Sequence, residues 1–205
     1  MPRTFAHDSV SPEHALTRLR EGNLRFIAGE GSALRTWHAG LVEGQQPFAV
    51  VLGCADSRAP AEYVFDQGLG DLFVIRVAGN IVAPSLVGSV EFAASQFGTR
   101  LVVVMGHTQC GAVGATVRAL EHGAPESKNL KSITDLIAPH VRHLFEGPGD
   151  HEARLAAAVR ENALASAREL RHSSEVITAL VEMGRVKVVA AVYDLATGAV
   201  TFLEE

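Results

Sequence analysis

The sequence predicts an α/β fold: a single domain with a mainly parallel four-stranded sheet, an additional antiparallel edge strand and flanking helices. Three observations lead there. Short apolar runs rich in valine, isoleucine and leucine recur at 48–52, 72–77, 101–105 and 186–192, each the length of a buried strand. Segments with helical spacing separate these runs, and strands alternating with helices give a parallel sheet. The chain of 205 residues shows no internal repeat, low-complexity segment or composition shift that would divide it, so residues 1–205 read as one domain.

In order along the chain, Ser11-Pro12-Glu13 is a helix start, with a capping hydroxyl, proline in the first turn and an acid behind it. Ala15, Leu16, Leu19, Leu24 and Ile27 follow at near-helical spacing until Gly29 and Gly31 close the segment, an N-terminal helical arm over about 11–30. Residues 32–46 read as a polar connector. After the first strand, Pro60 can start a helix. Pro84 and Ser85 open another over 86–97, ended by Gly98. Helices are expected after Cys110, across roughly 128–145 and 152–171, and from Ser173 or Ser174 through Met183, with Gly184 stopping the last. The stretch 194–198 makes a turn into the edge strand over 199–203.

Hydrophobic residues make up 47% and charged residues 20%, a globular balance, and the net charge of −5 offers no basic surface for nucleic acid. No apolar run reaches the roughly eighteen residues of a membrane span. The polar start, 1–11, has no apolar signal segment, and the expected location is the cytoplasm.

The chemistry concentrates where ligands bind in such sheets, beyond the carboxyl ends of the strands. The first strand runs into Gly53-Cys54-Ala55-Asp56-Ser57-Arg58, and the third into Gly106-His107-Thr108-Gln109-Cys110-Gly111. Two strand ends thus carry the only two cysteines and one of nine histidines. Two thiolates and an imidazole suit Zn²⁺ and leave a fourth tetrahedral position. His107 ends a strand and Cys110 begins a helix, so the turn between them lets both face one point. Helix amides should lower the Cys110 thiol pKa, and Gly53, Gly106 and Gly111 should leave the backbone room to turn beside the ion. Two thiolates neutralise the dication, so ionising a bound water leaves one net negative charge. Arg58 can offset that charge and clamp the Asp56 carboxylate, which can then accept a hydrogen bond from the bound hydroxide.

These residues reproduce the Cys-x-Asp-x-Arg and His-x-x-Cys signature of the β-class carbonic anhydrases, and the chain resembles that family over roughly 14–203. The likeness extends to Leu19 through Asn23, Ala59 through Glu62, Gly70 through Arg76, Gly88 through Glu91, Cys110 through Ala112 and Val192 through Asp194. The resemblance implies reversible hydration of carbon dioxide to bicarbonate and a proton through zinc-bound hydroxide. It makes Cys54, His107 and Cys110 the metal ligands and Asp56–Arg58 the catalytic dyad. In closed forms of some members the equivalent aspartate itself takes the fourth zinc position. Gln45 matches a substrate-binding glutamine and Phe73 a pocket phenylalanine of the plant-like subtype, with Val77 a further candidate lining. The family works as homodimers or tetramers whose active sites lie at the subunit interface.

Two departures bear on subtype. Phe92 stands where plant-like members carry a pocket tyrosine. The inhibitory bicarbonate site of some bacterial members needs a tryptophan, an arginine and a tyrosine; Arg76 and Tyr193 match, but Val51 holds the tryptophan position, and Trp37 lies too far upstream to replace it. Weak or no bicarbonate inhibition follows, and the plant-like pocket is the closer match. His38, His122, His140 and His143 are proton-shuttle candidates only because histidine titrates in the right range. His140 and His143 lie three apart on one expected helix, but with no nearby thiol or acid no second metal is expected there. The rival readings are a carbonyl sulfide or carbon disulfide hydrolase on the same scaffold, and a non-catalytic zinc- or bicarbonate-binding protein.

Overall fold

A computed structural model describes residues 10–31, 39–123, 127–146 and 149–203. Trp37 and His38 lie outside the described residues. The sheet is built from β1 (Ala49–Gly53), β2 (Leu72–Arg76), β3 (Leu101–His107), β4 (Lys187–Tyr193) and β5 (Val200–Leu203) in the order β2-β1-β3-β4-β5. The first four are parallel and β5 pairs antiparallel with β4, as the turn after Asp194 requires. β1 and β3 are central and buried along their whole length, which is why they read as unbroken apolar runs rather than alternating ones.

Successive side chains point to opposite faces, so the central strands feed two cores. Val50, Leu52, Val102 and Val104 pack with Val87 and Val90 of α3 (Pro84–Phe97) and with Ala163, Ala167 and Leu170 of α6 (His151–Arg171). Ala49, Val51 and Val103 face the other way, onto Ala15 and Leu19 of α1 (Pro12–Ile27) and onto Ala61 and Val64 of the short α2 (Ala61–Val64). The N-terminal helix is therefore part of the core. Asn23 fastens it by donating to the carbonyls of Val64 and Gly198. Truncating a fully buried Leu19 or Leu52 to alanine should cost about 2–5 kcal/mol.

The helix ends follow the sequence closely. Ser11 accepts from the His14 amide, and Gly98 closes α3 in a left-handed conformation. α4 (Gly111–His122) starts at Cys110, α5 (Lys128–Val141) is capped by Ser127, and α7 (Glu175–Glu182) by Ser174. The helix expected to 145 gives way at Val141 to a 3₁₀ turn over Arg142–Phe145. Pro139 inside α5 has no N–H to give back to the preceding turn, which weakens the helix there. β3 in turn runs two residues past the apolar run, to His107, because Gly106 and His107 pair with Val192 and Tyr193.

Candidate metal centre

Cys54 follows directly on β1, His107 is the last residue of β3, and Cys110 is the N-cap of α4. Because β1 and β3 are paired in register, Gly53 opposite Met105, their carboxyl ends deliver these side chains to one place. The two sulfurs are 4.0 Å apart, and the two Sγ atoms and a ring nitrogen of His107 lie within 4.8 Å of one another. Zinc–sulfur bonds of about 2.3 Å at a tetrahedral angle place two sulfurs about 3.8 Å apart, so the set fits the ion. All three residues are buried.

The imidazole is oriented for the same purpose. His107 Nδ1 donates to the Thr108 carbonyl at 2.9 Å, which leaves Nε2 as the lone-pair nitrogen. That Nε2 is buried with no hydrogen-bond partner among the described residues. An orphaned buried acceptor between two thiols is the signature of an atom meant for a cation.

Asp56 and Arg58 form a two-pronged pair beside this cluster. Arg58 Nε donates to Asp56 Oδ1 at 2.9 Å and Nη2 to Oδ2 at 2.7 Å, with the Arg58 amide adding a third bond to Oδ1. Oδ2 lies 3.8 Å from His107 Nε2, so the carboxylate borders the point the three donors face. The Arg58 hydrogen bond holds Asp56 below the usual carboxylate range, against some desolvation. Arg76, at the end of β2, donates to the Cys54 and Asp56 carbonyls at 3.0 and 2.6 Å and so fixes the turn carrying both side chains.

Of the two thiols, Cys54 is the acidic one. A hydrogen bond from Cys110 draws it down against burial, helped by His107 and by the amides of Gly79 and Asp56. Cys110 moves the other way, pushed up by its bond to Cys54 and by burial, although the α4 amides of Val113 and Ala112 pull it down. The helix amides pull Cys110 down as expected, but the neighbouring sulfur and burial outweigh them, so its net shift is upward. His107 is raised; burial opposes its charge, but the neighbouring Cys54 and Asp56 favour it and prevail.

The glycine expectation also changes. A Cβ on Gly53 would meet only ordinary contacts and one on Gly111 none, while Gly106 is tight against Ala163 at 3.4 Å. Beside the donor cluster the strictest demand falls on Gly79, which sequence reasoning did not single out. It has φ +78, and a Cβ there would lie 2.7 Å from Ile137 Cδ1 and 3.0 Å from Ala112 Cβ. Its amide donates to Cys54 Sγ at 3.4 Å. The Gly-Asn pair just after a strand's carboxyl end was the available signal.

Gln45 and Phe73 lie elsewhere. Phe48 is tied to Asp71 and Pro47 to Thr99, both just before strands begin, so Gln45 sits beyond the amino ends of the sheet. The five residues of β1, at about 3.3 Å each, separate it from Cys54. Phe73 is level with Val50, three residues short of Arg76, and makes tilted ring contacts with Phe92 and Phe97. Among the shuttle candidates, His122 ends α4 about 18 Å along the helix from Cys110, His143 is exposed, and His140 bonds to Asn162.

The family model described as carbonic anhydrase matches residues 49–200. "Carbonic anhydrase 2" of Mycobacterium tuberculosis is 36% identical over 193 residues, 93% of this chain and 92% of that protein. A carbonic anhydrase of Mycolicibacterium smegmatis is 42% identical over 134 residues, 64% of this chain and 65% of the relative. Among solved structures, the β-carbonic anhydrase CcaA superposes with a TM-score of 0.71 at 26% identity, covering 92% of this chain and 87% of its own. The Coccomyxa β-carbonic anhydrase shares the fold with a TM-score of 0.73 at 23% identity, over 97% and 88% of the two chains.

Proposed function

Since the chain belongs to the β-class carbonic anhydrase family, we propose that Cys54, His107 and Cys110 hold Zn²⁺ and that Asp56 and Arg58 serve beside it in the reversible hydration of carbon dioxide to bicarbonate. The observation that carries this is the convergence of two sulfurs and an unpartnered Nε2, with Asp56 Oδ2 3.8 Å from that nitrogen. When bound, the ion supplies Lewis acidity that brings the pKa of water from about 15.7 to about 7. The chain's own groups do the rest. Two sulfur anions offset the dication, the Asp56 carboxylate accepts a hydrogen bond from the reacting water and aims its lone pair, and Arg58 fixes that carboxylate and balances the added negative charge. The bidentate pairing of Asp56 with Arg58 keeps the carboxylate out of the ligand set. The family match and its carbonic anhydrase relatives favour hydration over sulfur-substrate hydrolysis.

Gln45 and Phe73 stand too far from their own metal site to touch a substrate there. In our reading they serve the site of a second copy of the chain, where the Gln45 amide would meet the developing negative oxygen. The exposed edge of β2 and the half-exposed Phe92 beside Phe73 are suited to a homodimer or tetramer. The whole chain then works as one domain, with 11–30 as its helical arm. No described helix is long and apolar enough to cross a membrane. Two buried thiols 4.0 Å apart must stay reduced to hold a metal, which supports the cytoplasm as the site of action. Arg76 spends its donors on the backbone of the Cys54 turn, and with valine at 51 this supports a plant-like pocket with a hyperbolic response to bicarbonate.

Stopped-flow carbon dioxide hydration on zinc-loaded protein at pH 8.5 is the direct test. Catalysis well above the buffer rate is expected; zinc bound at one equivalent with no catalysis would overturn the proposal.

A further inference from the structure

A line of hydrogen bonds runs from the metal centre through Asn162 of α6 to His140. Gly79 donates its amide to Cys54 Sγ at 3.4 Å, and its carbonyl accepts from Asn162 Nδ2 at 2.8 Å. Asn162 is completely buried in the middle of α6. With its amide nitrogen committed to Gly79, its Oδ1 accepts from His140 Nδ1 at 3.2 Å, which places the imidazole proton on Nδ1. His140 Nε2 in turn lies 3.6 Å from Glu169 Oε2 on the same helix as Asn162.

The segment this line holds is an unusual one. Gly79 and Asn80 both have left-handed backbone, φ +78 and +45, and Asn80 is buried without being a glycine. Two such residues in a row persist only where surrounding groups determine them. The aim of the Gly79 amide at sulfur depends on that conformation, because a backbone donor cannot be redirected by a rotamer. Ile137 and Ala112 close one side of Gly79, and Asn162 pins its carbonyl from the other. A hydrogen bond to a thiolate withdraws electron density from sulfur, so the strength of this one sets how strongly Cys54 donates to a metal.

We propose that Asn162 is a positioning residue for the metal centre, holding Gly79 so that its amide stays on the Cys54 thiolate, with His140 orienting the Asn162 amide. The inference rests on Cys54, His107 and Cys110 being the metal ligands, and it assigns a role to a buried polar chain that the reaction does not otherwise use.

The test uses the full-length protein loaded with cobalt(II), where sulfur-to-cobalt charge-transfer bands report the thiolates directly. Asn162→Asp keeps the shape and the acceptor for His140 but removes the donor to Gly79. His140→Leu leaves Asn162 in place and removes only its orienting partner, so it covers the case in which Asn162→Asp does not fold. Charge-transfer bands moved to longer wavelength are expected in both, larger in Asn162→Asp. Zinc affinity by chelator competition should fall about 10- to 100-fold in Asn162→Asp, and the acid limb of the kcat/KM profile should move to higher pH. His140→Gln, which can still donate to Asn162, should restore the wild-type bands. Bands identical to wild type in every folded variant, with only the melting temperature lowered, would overturn the positioning role. Absence of charge-transfer bands in the wild-type cobalt protein would instead overturn the ligand assignment itself.

Discussion

The two ends of the parallel sheet are built on different principles. At the carboxyl end, every group that meets the metal position belongs to one chain, and each is held from behind. Arg76 holds the Cys54 turn, the Thr108 carbonyl sets the His107 ring, and Arg58 grips Asp56 at two atoms. At the amino end and along the β2 edge, Gln45 and Val42 are exposed and Phe92 is half exposed, about the length of a strand from their own metal site. The contrast is that one chain brings all three candidate donors together, while the residues matched to substrate binding stand at the other end of its sheet.

The largest effect that could break this contrast comes from Cys54→Ser. With one of three ligands weakened, zinc content by emission spectroscopy should fall, and kcat/KM should drop by at least about a hundredfold, the upper range for disturbing even an outer-sphere partner. Full zinc and full rate would dissolve the idea of a self-contained carboxyl end. Arg58→Ala is next. Losing one preorganised electrostatic group should cost about 10²–10³ in kcat/KM. Arg58 is exposed and solvent screens its charge, so the melting temperature should barely move. An unchanged rate at unchanged stability would refute a catalytic role for the pair.

A mixing experiment sharpens the amino-end half of the contrast. Gln45→Ala alone should lose roughly tenfold or more in rate. Mixed and reassembled with Cys54→Ser, it should regain activity, because one site per mixed dimer would combine an intact metal centre with an intact Gln45. Roughly a quarter of wild-type activity is the statistical limit for a symmetric dimer. No recovery after verified subunit exchange would place Gln45 at its own chain's site or at none.

The smallest expected effect concerns Asp194, which ties the turn after β4 to Thr108 beside His107. The Ala196 amide, Thr197 and Thr108 all donate to it and hold its pKa below the ordinary value. A depressed carboxylate adds stability that is complete above its unfolded pKa of about 3.9 and is lost as pH falls through the lower folded value. Asp194→Asn should therefore flatten the fall in melting temperature below about pH 4 while leaving neutral activity nearly unchanged. A mutant curve parallel to wild type would show that this anchor adds no pH-dependent stability.

Much of this was written along the chain. Buried parallel strands are recognisable as unbroken apolar runs, and helix ends are local chemistry, which is why Ser11, Gly98 and Ser174 mark boundaries that the structure keeps. The donor set was legible for a related reason: each ligand sits at the end of a recognisable strand or the start of a helix, and strand ends meet once strands pair. Pro139 weakened α5 near its end by removing one backbone donor, also a local matter.

What sequence by itself determined was therefore the fold class, the order of its elements and the residues able to hold the ion, because periodicity, capping and ligand chemistry act over a few residues. Tertiary structure alone decided which thiol is acidic, why Gly79 admits no side chain, that Asn162 reaches the Cys54 turn across 83 residues, and that Gln45 and Phe73 stand at the far end of the sheet. Those outcomes depend on distances between segments remote in sequence, and burial and electrostatics are functions of distance.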